Sequence, residues 1–339
     1  MPIVTVIIPF YQHQPGILTR ALISILSQRL PDGWSIEVII VDDGSPCRAQ
    51  DEVDALSFTG TINSRVVRQN NGGVASARNK GLDETKPSSI LIAFLDSDDI
   101  WSADHLSRAI EAHTIGFDFY FTDNRRSGFH NSHVHSDSLP ETKNYITTAN
   151  REIGFVEIPR DYMVGLILRE FPTQASTVVY GRSIAPNLRF NTKLKTAAED
   201  NLFFTALAAL SHRVAFDAEN FVECGGGLNM YFANLDWDSP KLLAIKLDQL
   251  LAHYLIRETI TLSADNRAWN ERHVIDCRRD FFFHVIRNLV KHPSRVPREL
   301  WRFISQRPLQ ILSIPVDVIY AAMNAMVGRQ HGSDQKRPF

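Results

Sequence analysis

The sequence predicts an α/β chain: a mostly parallel sheet covered by helices on both faces, with a helical C-terminal extension. Three observations carry that expectation. Strand-like and helix-like segments alternate through residues 1–101. The strand-like segments are near-continuous apolar runs, the pattern of strands buried on both faces. From Asp236 onward, apolar residues recur at helical spacing instead.

Taken in order, Val4–Ile8 reads as a strand stopped by Pro9, because proline cannot donate to a ladder. Ile17–Gln28 carries Leu18, Leu22 and Ile25 at helical spacing on an otherwise polar segment. Ile36–Val41 is a continuous apolar strand that ends in Asp42-Asp43-Gly44-Ser45. Arg65–Val67 is a short strand before Asn70-Asn71-Gly72-Gly73, and Val74–Asp83 reads as the helix behind those glycines. Ile90–Leu95 is the next strand and runs into Asp96-Ser97-Asp98-Asp99. Farther on, Phe117–Thr122 and Thr173–Tyr180 read as strands, with Gln174 and Ser176 offered to the hydroxyls of a ligand. Residues 124–150 are polar and read as a mobile or closing segment. Its His130, His133 and His135 fit a solvated loop better than a zinc site, since no cysteine or regular scaffold accompanies them. Cys224-Gly-Gly-Gly227 reads as a flexible turn. In the extension, Leu243, Leu247, Leu250 and Tyr254 share a helix face, and Asp280–Val290 forms another helix around Phe281, Phe282, Phe283 and Ile286. The expected division is a catalytic domain over 1–235, with halves 1–101 and 102–235, and a helical region over 236–339.

Composition bounds the function classes. With 44% hydrophobic and 22% charged residues, this is an ordinary globular chain. A formal net charge of −2 argues against a nucleic-acid partner. Three scattered cysteines, Cys47, Cys224 and Cys277, fit a reducing compartment rather than a disulfide framework. The N-terminal segment lacks a basic stretch ahead of its apolar run and reads as a first strand, not a signal peptide.

In parallel α/β sheets, ligands gather at the C-terminal strand ends. Four polar clusters fall there: Pro9-Phe-Tyr11, Asp42-Asp43, Asn70–Gly73 and Asp96–Asp99. Three carboxylates within four residues, Asp96, Asp98 and Asp99, repel one another unless a cation sits among them. A hard divalent ion, Mg²⁺ or Mn²⁺, is the fitting occupant, and such an ion stabilises a leaving diphosphate. The same residues also fit a solvated turn that caps the next helix. Asp42 fits either a hydrogen-bond acceptor for a base N–H or an Asx-turn before Gly44. Gly72-Gly73 would let backbone approach a phosphate at a helix N-terminus, with Arg78 within reach of it. No G-x-G-x-x-G follows the first strand, and no P-loop pattern occurs.

Four segments in this order, Val6-Ile-Ile-Pro-Phe-Tyr11, Val41-Asp-Asp-Gly-Ser45, Asn71-Gly-Gly-Val-Ala-Ser-Ala-Arg-Asn79 and Leu95-Asp-Ser-Asp-Asp-Ile-Trp101, resemble the signatures of family 2 glycosyltransferases. These are inverting, metal-dependent nucleotide-sugar enzymes of GT-A fold. Within the family, Pro9–Leu22 is similar to the opening of bacterial exopolysaccharide glucosyltransferases of the succinoglycan type. The resemblance implies that Pro9 and Tyr11 border the nucleoside and that Asp42 binds uracil. It places Arg78 near the donor's phosphates or sugar, and Asp96 on the ribose or donor-sugar side. Asp98 and Asp99 complete the Asp-x-Asp element, with at least one of them on the metal. An inverting transferase also needs a base for the acceptor hydroxyl. The family takes it from an acid at a helix start roughly a hundred residues past the metal element. Asp200 stands there, with Glu199 beside it.

Residues 287–307 hold Arg287, Lys291, Arg295, Arg298, Arg302 and Arg307 against one acid, and residues 309–327 are apolar apart from Asp317 and a few polar residues. That asymmetry suggests docking on an anionic membrane face, or else a packed helical pair or dimer contact. Pro315, Asp317 and Asn324 argue against a spanning helix. The expected activity is transfer of a hexose, glucose from UDP-glucose first, to a polyprenyl-diphosphate-linked saccharide at the cytoplasmic membrane face. A nucleotidyltransferase, or a silent nucleotide-sugar-binding subunit of a polysaccharide assembly, are the alternatives.

Overall fold

A computed structural model describes residues 1–319 except 59, 127–131, 150, 153, 226–238 and 314. The chain divides into two compact units, one over Met1–Lys193 and Glu199–Asn229, the other over Leu194–Ala198 and Met230–Phe339.

The first unit alternates β1 (Ile3–Phe10), α1 (Ile17–Leu26), β2 (Ser35–Asp42), α2 (Ala49–Asp54), β3 (Ile62–Arg68), α3 (Val74–Asp83) and β4 (Ser89–Phe94). It continues with β5 (Ile100–Trp101), α4 (His105–Thr114), β6 (Phe119–Arg126), α5 (Pro140–Thr148), β7 (Arg151–Glu152), β8 (Phe155–Ile158) and α6 (Arg160–Arg169). A 3₁₀ turn at Ala175–Thr177, then β9 (Val178–Gly181), α7 (Glu199–Leu210) and β10 (Val214–Cys224) complete it. Among the described residues the sheet runs β3-β2-β1-β4-β9-β6-β10-β8-β7, with β5 beside β10. β1 to β4 are mutually parallel, whereas β9 runs antiparallel to both β4 and β6.

The apolar runs explain the parallel half. Val4, Val6, Ile7 and Ile8 of β1 and Val38 to Val41 of β2 are fully buried. α1 buries Leu18, Ala21, Leu22 and Ile25 on one stripe. α3 lies so close to β1 that a Cβ on Gly81 would stand 2.3 Å from Ile7 Cγ2. The segment expected as one strand over Thr173–Tyr180 is a 3₁₀ turn followed by β9, because the Thr177 hydroxyl and Gln174 backbone bond each other and close the turn.

The second unit is helical: α8 (Pro240–Thr259), α9 (Ala264–Lys291), α10 (Arg298–Gln306) and a 3₁₀ segment at Pro308–Ser313. The Ser239 hydroxyl caps α8 by accepting from Leu242 N–H at 3.1 Å. The buried Asp248 carboxylate accepts from Thr196 N–H at 2.6 Å and meets Arg302 at 2.6 Å, which binds residues 194–198 to this unit. Arg302 and Arg307 are therefore not part of an open basic face, since Arg307 pairs with Glu258. Asp317 is buried against Arg278 at 2.6 Å. Among the described residues, no helix is long and apolar enough to cross a membrane.

Candidate active site

The C-terminal ends of β1, β2, β3 and β4 bring their loops to one rim, and the loops brace each other. Gln12 N–H donates to Ser45 Oγ at 2.8 Å, and Gln12 Nε2 donates to Ser97 Oγ at 2.9 Å. One residue, through its backbone N–H and its side-chain amide, thus joins the loops after β1, β2 and β4. Pro9 is buried at the strand end, while Tyr11 is exposed on the rim, edge-on to His13.

Two acids end β2, and both are committed to the scaffold. Asp42 accepts from Ser45 N–H at 2.8 Å and Ala49 N–H at 3.2 Å, with Arg68 at 3.3 Å. Asp43 accepts from Gly72 N–H at 2.9 Å, Gly73 N–H at 2.8 Å and Gln69 Nε2 at 2.7 Å. The amides expected to cradle a phosphate hold a protein carboxylate instead. Asp43 is the anion at the N-terminus of α3.

Arg78, on the second turn of α3, is buried. Its Nη2 donates to Asp96 at 2.8 Å and its Nη1 to Glu199 at 3.4 Å. Burial pulls the guanidinium's pKa down, but the charges of Asp96, Glu199 and Asp200 outweigh that and leave it raised. Arg78 therefore links the end of β4 to the start of α7 and does not face open solvent. Asp200 is partly exposed, and its Oδ1 accepts from Asn201 N–H at 2.8 Å. Burial, then Asp200, push Glu199 up to about 8, and burial likewise raises Asp200 against the pull of Arg78.

Asp98 and Asp99 differ sharply. The Asp99 carboxylate faces inward and accepts from Ser176 Oγ at 2.6 Å, Gln174 Nε2 at 3.2 Å and Gly225 N–H at 2.9 Å. Ser176 also accepts from Asp96 N–H at 2.9 Å. Ser176 and Gln174 thus serve the acidic loop, where the hydroxyls of a ligand were expected. Asp98 is half-exposed, and among the described residues no other residue's donor meets its carboxylate. Gly225 packs against it so closely that a Cβ there would stand 2.7 Å from Asp98 Oδ2 and 2.4 Å from Asp98 O. Burial and Asp96 raise Asp98, and the same causes push Asp99 up to about 8.

Asp96, Glu199 and Asp200 thus surround the Arg78 guanidinium, with Asp98 and Asp99 next to Asp96 on the acidic loop. The raised proton affinities of Asp98, Asp99, Glu199 and Asp200 mark a site short of positive charge, and the free donor set is carboxylate oxygen. That set fits a hard divalent cation held through Asp98. His133 and His135 join no three-donor cluster among the described residues, and His130, Gly226 and Gly227 lie outside them.

The profile of Glycosyl transferase family 2 matches residues 5–170. Succinoglycan biosynthesis protein ExoW of Rhizobium meliloti is 38% identical over 258 residues, spanning 74% of this chain and 79% of that protein. The chain belongs to glycosyl transferase family 2. Its α/β fold is GT-A. Residues 1–349 of TarS from S. aureus, solved in complex with UDP-GlcNAc, superpose with a TM-score of 0.59 at 17% identity, covering 95% of this chain and 89% of that one. The mannosyltransferase PcManGT from Pyrobaculum calidifontis, solved with GDP-Man and Mn²⁺, gives a TM-score of 0.55 at 14% identity over 95% and 86%. In this family 2 chain, sequence reasoning missed Gln12, Asp43 and Gly225. Asp43 and Gly225 had a faint signal, an acid pair after a strand and a glycine run. Gln12 had none.

Proposed function

We propose that this glycosyltransferase is an inverting hexosyltransferase. It moves a hexose, glucose from UDP-glucose first, to a polyprenyl-diphosphate-linked saccharide during exopolysaccharide synthesis. The observation that carries the reading is the divided acid cluster: Asp98 half-exposed at the rim, Asp200 partly exposed at the start of α7, and Arg78 between their neighbours Asp96 and Glu199. The succinoglycan relative supports the pathway, and the nucleotide-sugar complexes of the structural neighbours support the donor class.

In this reading Tyr11 and Pro9 border the base, and the β2 end carries Asp42 beneath it. Asp98 holds Mn²⁺ or Mg²⁺, with Asp96 on the donor-sugar side. Asp99 fixes the loop through Ser176, Gln174 and Gly225 rather than serving as the direct ligand. When bound, the cation neutralises the diphosphate and stabilises it as a leaving group. Asp200 accepts the proton of the acceptor hydroxyl as that oxygen attacks the anomeric carbon from the face opposite the leaving nucleotide. Glu199 and Arg78 position Asp200 and Asp96 and hold no substrate. The domain over 1–235 performs this chemistry.

The helical region is proposed to rest on an anionic membrane face. Trp301, Leu309, Leu312, Val316 and Ile319 are exposed, and Arg295 and Arg298 remain exposed beside them.

Replacing the base tests the mechanism. Asp200→Asn should lower the transfer rate by about 10²–10⁴-fold while UDP affinity stays near wild type. A general base works only when deprotonated, so wild-type transfer should fall as pH drops through the raised pKa of Asp200. Near wild-type transfer by Asp200→Asn would remove the assignment.

A further inference from the structure

The helical unit contains a cluster that sugar transfer does not use. His253 on α8 meets His273 and Cys277 on α9, and one donor atom from each lies within 4.8 Å of the others. His273 and Cys277 stand four residues apart and so share a helix face. The two imidazole rings are 4.5 Å apart between centroids.

The outer partners are arranged as a ligand imidazole needs them. His253 Nδ1 lies 2.7 Å from Asn270 Oδ1, and Asn270 Nδ2 donates to the His253 carbonyl at 3.1 Å. The second bond fixes the amide orientation, so its oxygen can only accept from Nδ1. His253 Nδ1 then carries the proton, and Nε2 presents its lone pair. A ring oriented through its other nitrogen is the usual support of a metal-bound histidine. Trp269 stacks on His273 at 4.4 Å and covers one side of the cluster. Lys246 is paired with Asp280 at 2.9 Å, which offsets its charge beside the thiol. Burial pushes His253 down to about 4 and lowers His273, so both rings are in the neutral, ligating form at neutral pH. Burial pushes the Cys277 thiol up to about 12, so its proton stays on until a metal displaces it.

Two imidazole nitrogens and one sulfur select zinc over the hard cations suited to Asp98. We propose that His253, His273 and Cys277 form a Zn²⁺ site that ties α8 to α9, with water in the fourth position. Ligand atoms around tetrahedral zinc stand about 3.5 Å apart, so side-chain rotation must close the cluster by about 1 Å. On binding, Cys277 releases its thiol proton to solvent and the thiolate bonds the metal, while both imidazoles bind as neutral donors.

The test uses the full chain, stripped of metal and then titrated with Co²⁺ and, separately, Zn²⁺. Wild type should take up one Zn²⁺ per chain at this site, and its Co²⁺ form should show a thiolate-to-cobalt charge-transfer band. Asp98→Ala should keep that band, which separates the site from the donor-side cation. Cys277→Ala should lose the band, and His273→Gln should lose tight zinc binding. If Cys277→Ala fails to fold, Cys277→Ser retains the volume and must lose the band as well. Asn270→Ala, which removes a positioning contact, should weaken zinc by about 10- to 100-fold. Absence of a thiolate band in wild type, or a band that survives both Cys277 replacements, would overturn the proposal. The result is independent of whether the first unit transfers glucose.

Discussion

Asp98 and Asp99 are neighbours of the same chemistry, and the fold gives them opposite surroundings. Three donors satisfy Asp99, whereas Asp98 is left to the rim. Asp98→Ala should therefore abolish the gain in UDP affinity on adding Mn²⁺ and leave thermal stability within about 1 kcal/mol, as at a surface position. Asp99→Ala strips an acceptor from Ser176, Gln174 and Gly225, so it should also destabilise the fold by about 1–3 kcal/mol. Calorimetry of UDP binding with and without Mn²⁺, paired with thermal unfolding, separates the two. Equal loss of metal-linked affinity with no stability difference would contradict the division. The acidic loop itself was legible in the sequence, because a buried apolar strand ending in carboxylates is a local pattern. The division within it was not, because the deciding partners lie 75 to 126 residues away along the chain. The bracing role of Gln12 and the pairing of Arg78 with Glu199 escaped for the same reason: the partners Ser97 and Glu199 are 85 and 121 residues distant.

At the scale of elements, the parallel half was readable because each strand is an unbroken apolar run and each helix carries one apolar stripe. Val74–Asp83 matches its expected bounds, and α1 ends two residues before the expected Gln28. β10 was not readable. Its register against β6 shifts between Asp217 and Phe221, and that polar interruption hides an eleven-residue strand. α9 was half-readable, since the apolar spacing begins near Phe281 while Ala264–Asp280 is largely polar. The close approach of α3 to β1 depends on Gly81. Ala is the better helix former by about 1 kcal/mol. At this position, however, its methyl would stand 2.3 Å from Ile7 Cγ2. Overpacking costs about 1–3 kcal/mol, so Gly81→Ala should lower the unfolding midpoint in urea, and an unchanged or raised midpoint would contradict the packing.

For the whole molecule, the chain carries a GT-A unit and a helical unit with different surfaces. The sequence signalled the basic and apolar asymmetry of the second unit. It did not signal that Arg302, Arg307 and Asp317 would be consumed by Asp248, Glu258 and Arg278, because those pairs form only when the helices pack. The exposed face proposed to meet a membrane is apolar more than basic. Trp301→Ala combined with Leu312→Ser should reduce sedimentation with vesicles containing anionic lipid by at least about tenfold, and leave nucleotide binding unchanged. Equal partition of the variant and wild type would remove the membrane contact. The central claim is that Asp98 and its neighbours activate a UDP-hexose through a divalent cation. Its most direct test is nucleotide diphosphate release from a panel of UDP-, GDP- and dTDP-sugars, with Mn²⁺ or with EDTA, with a polyprenyl-diphosphate-linked saccharide added in a parallel series. The account predicts release from one UDP-hexose, UDP-glucose first, that stops in EDTA and in Asp98→Ala and accelerates with acceptor. Release that persists in EDTA, or that favours a GDP- or dTDP-sugar, would contradict it.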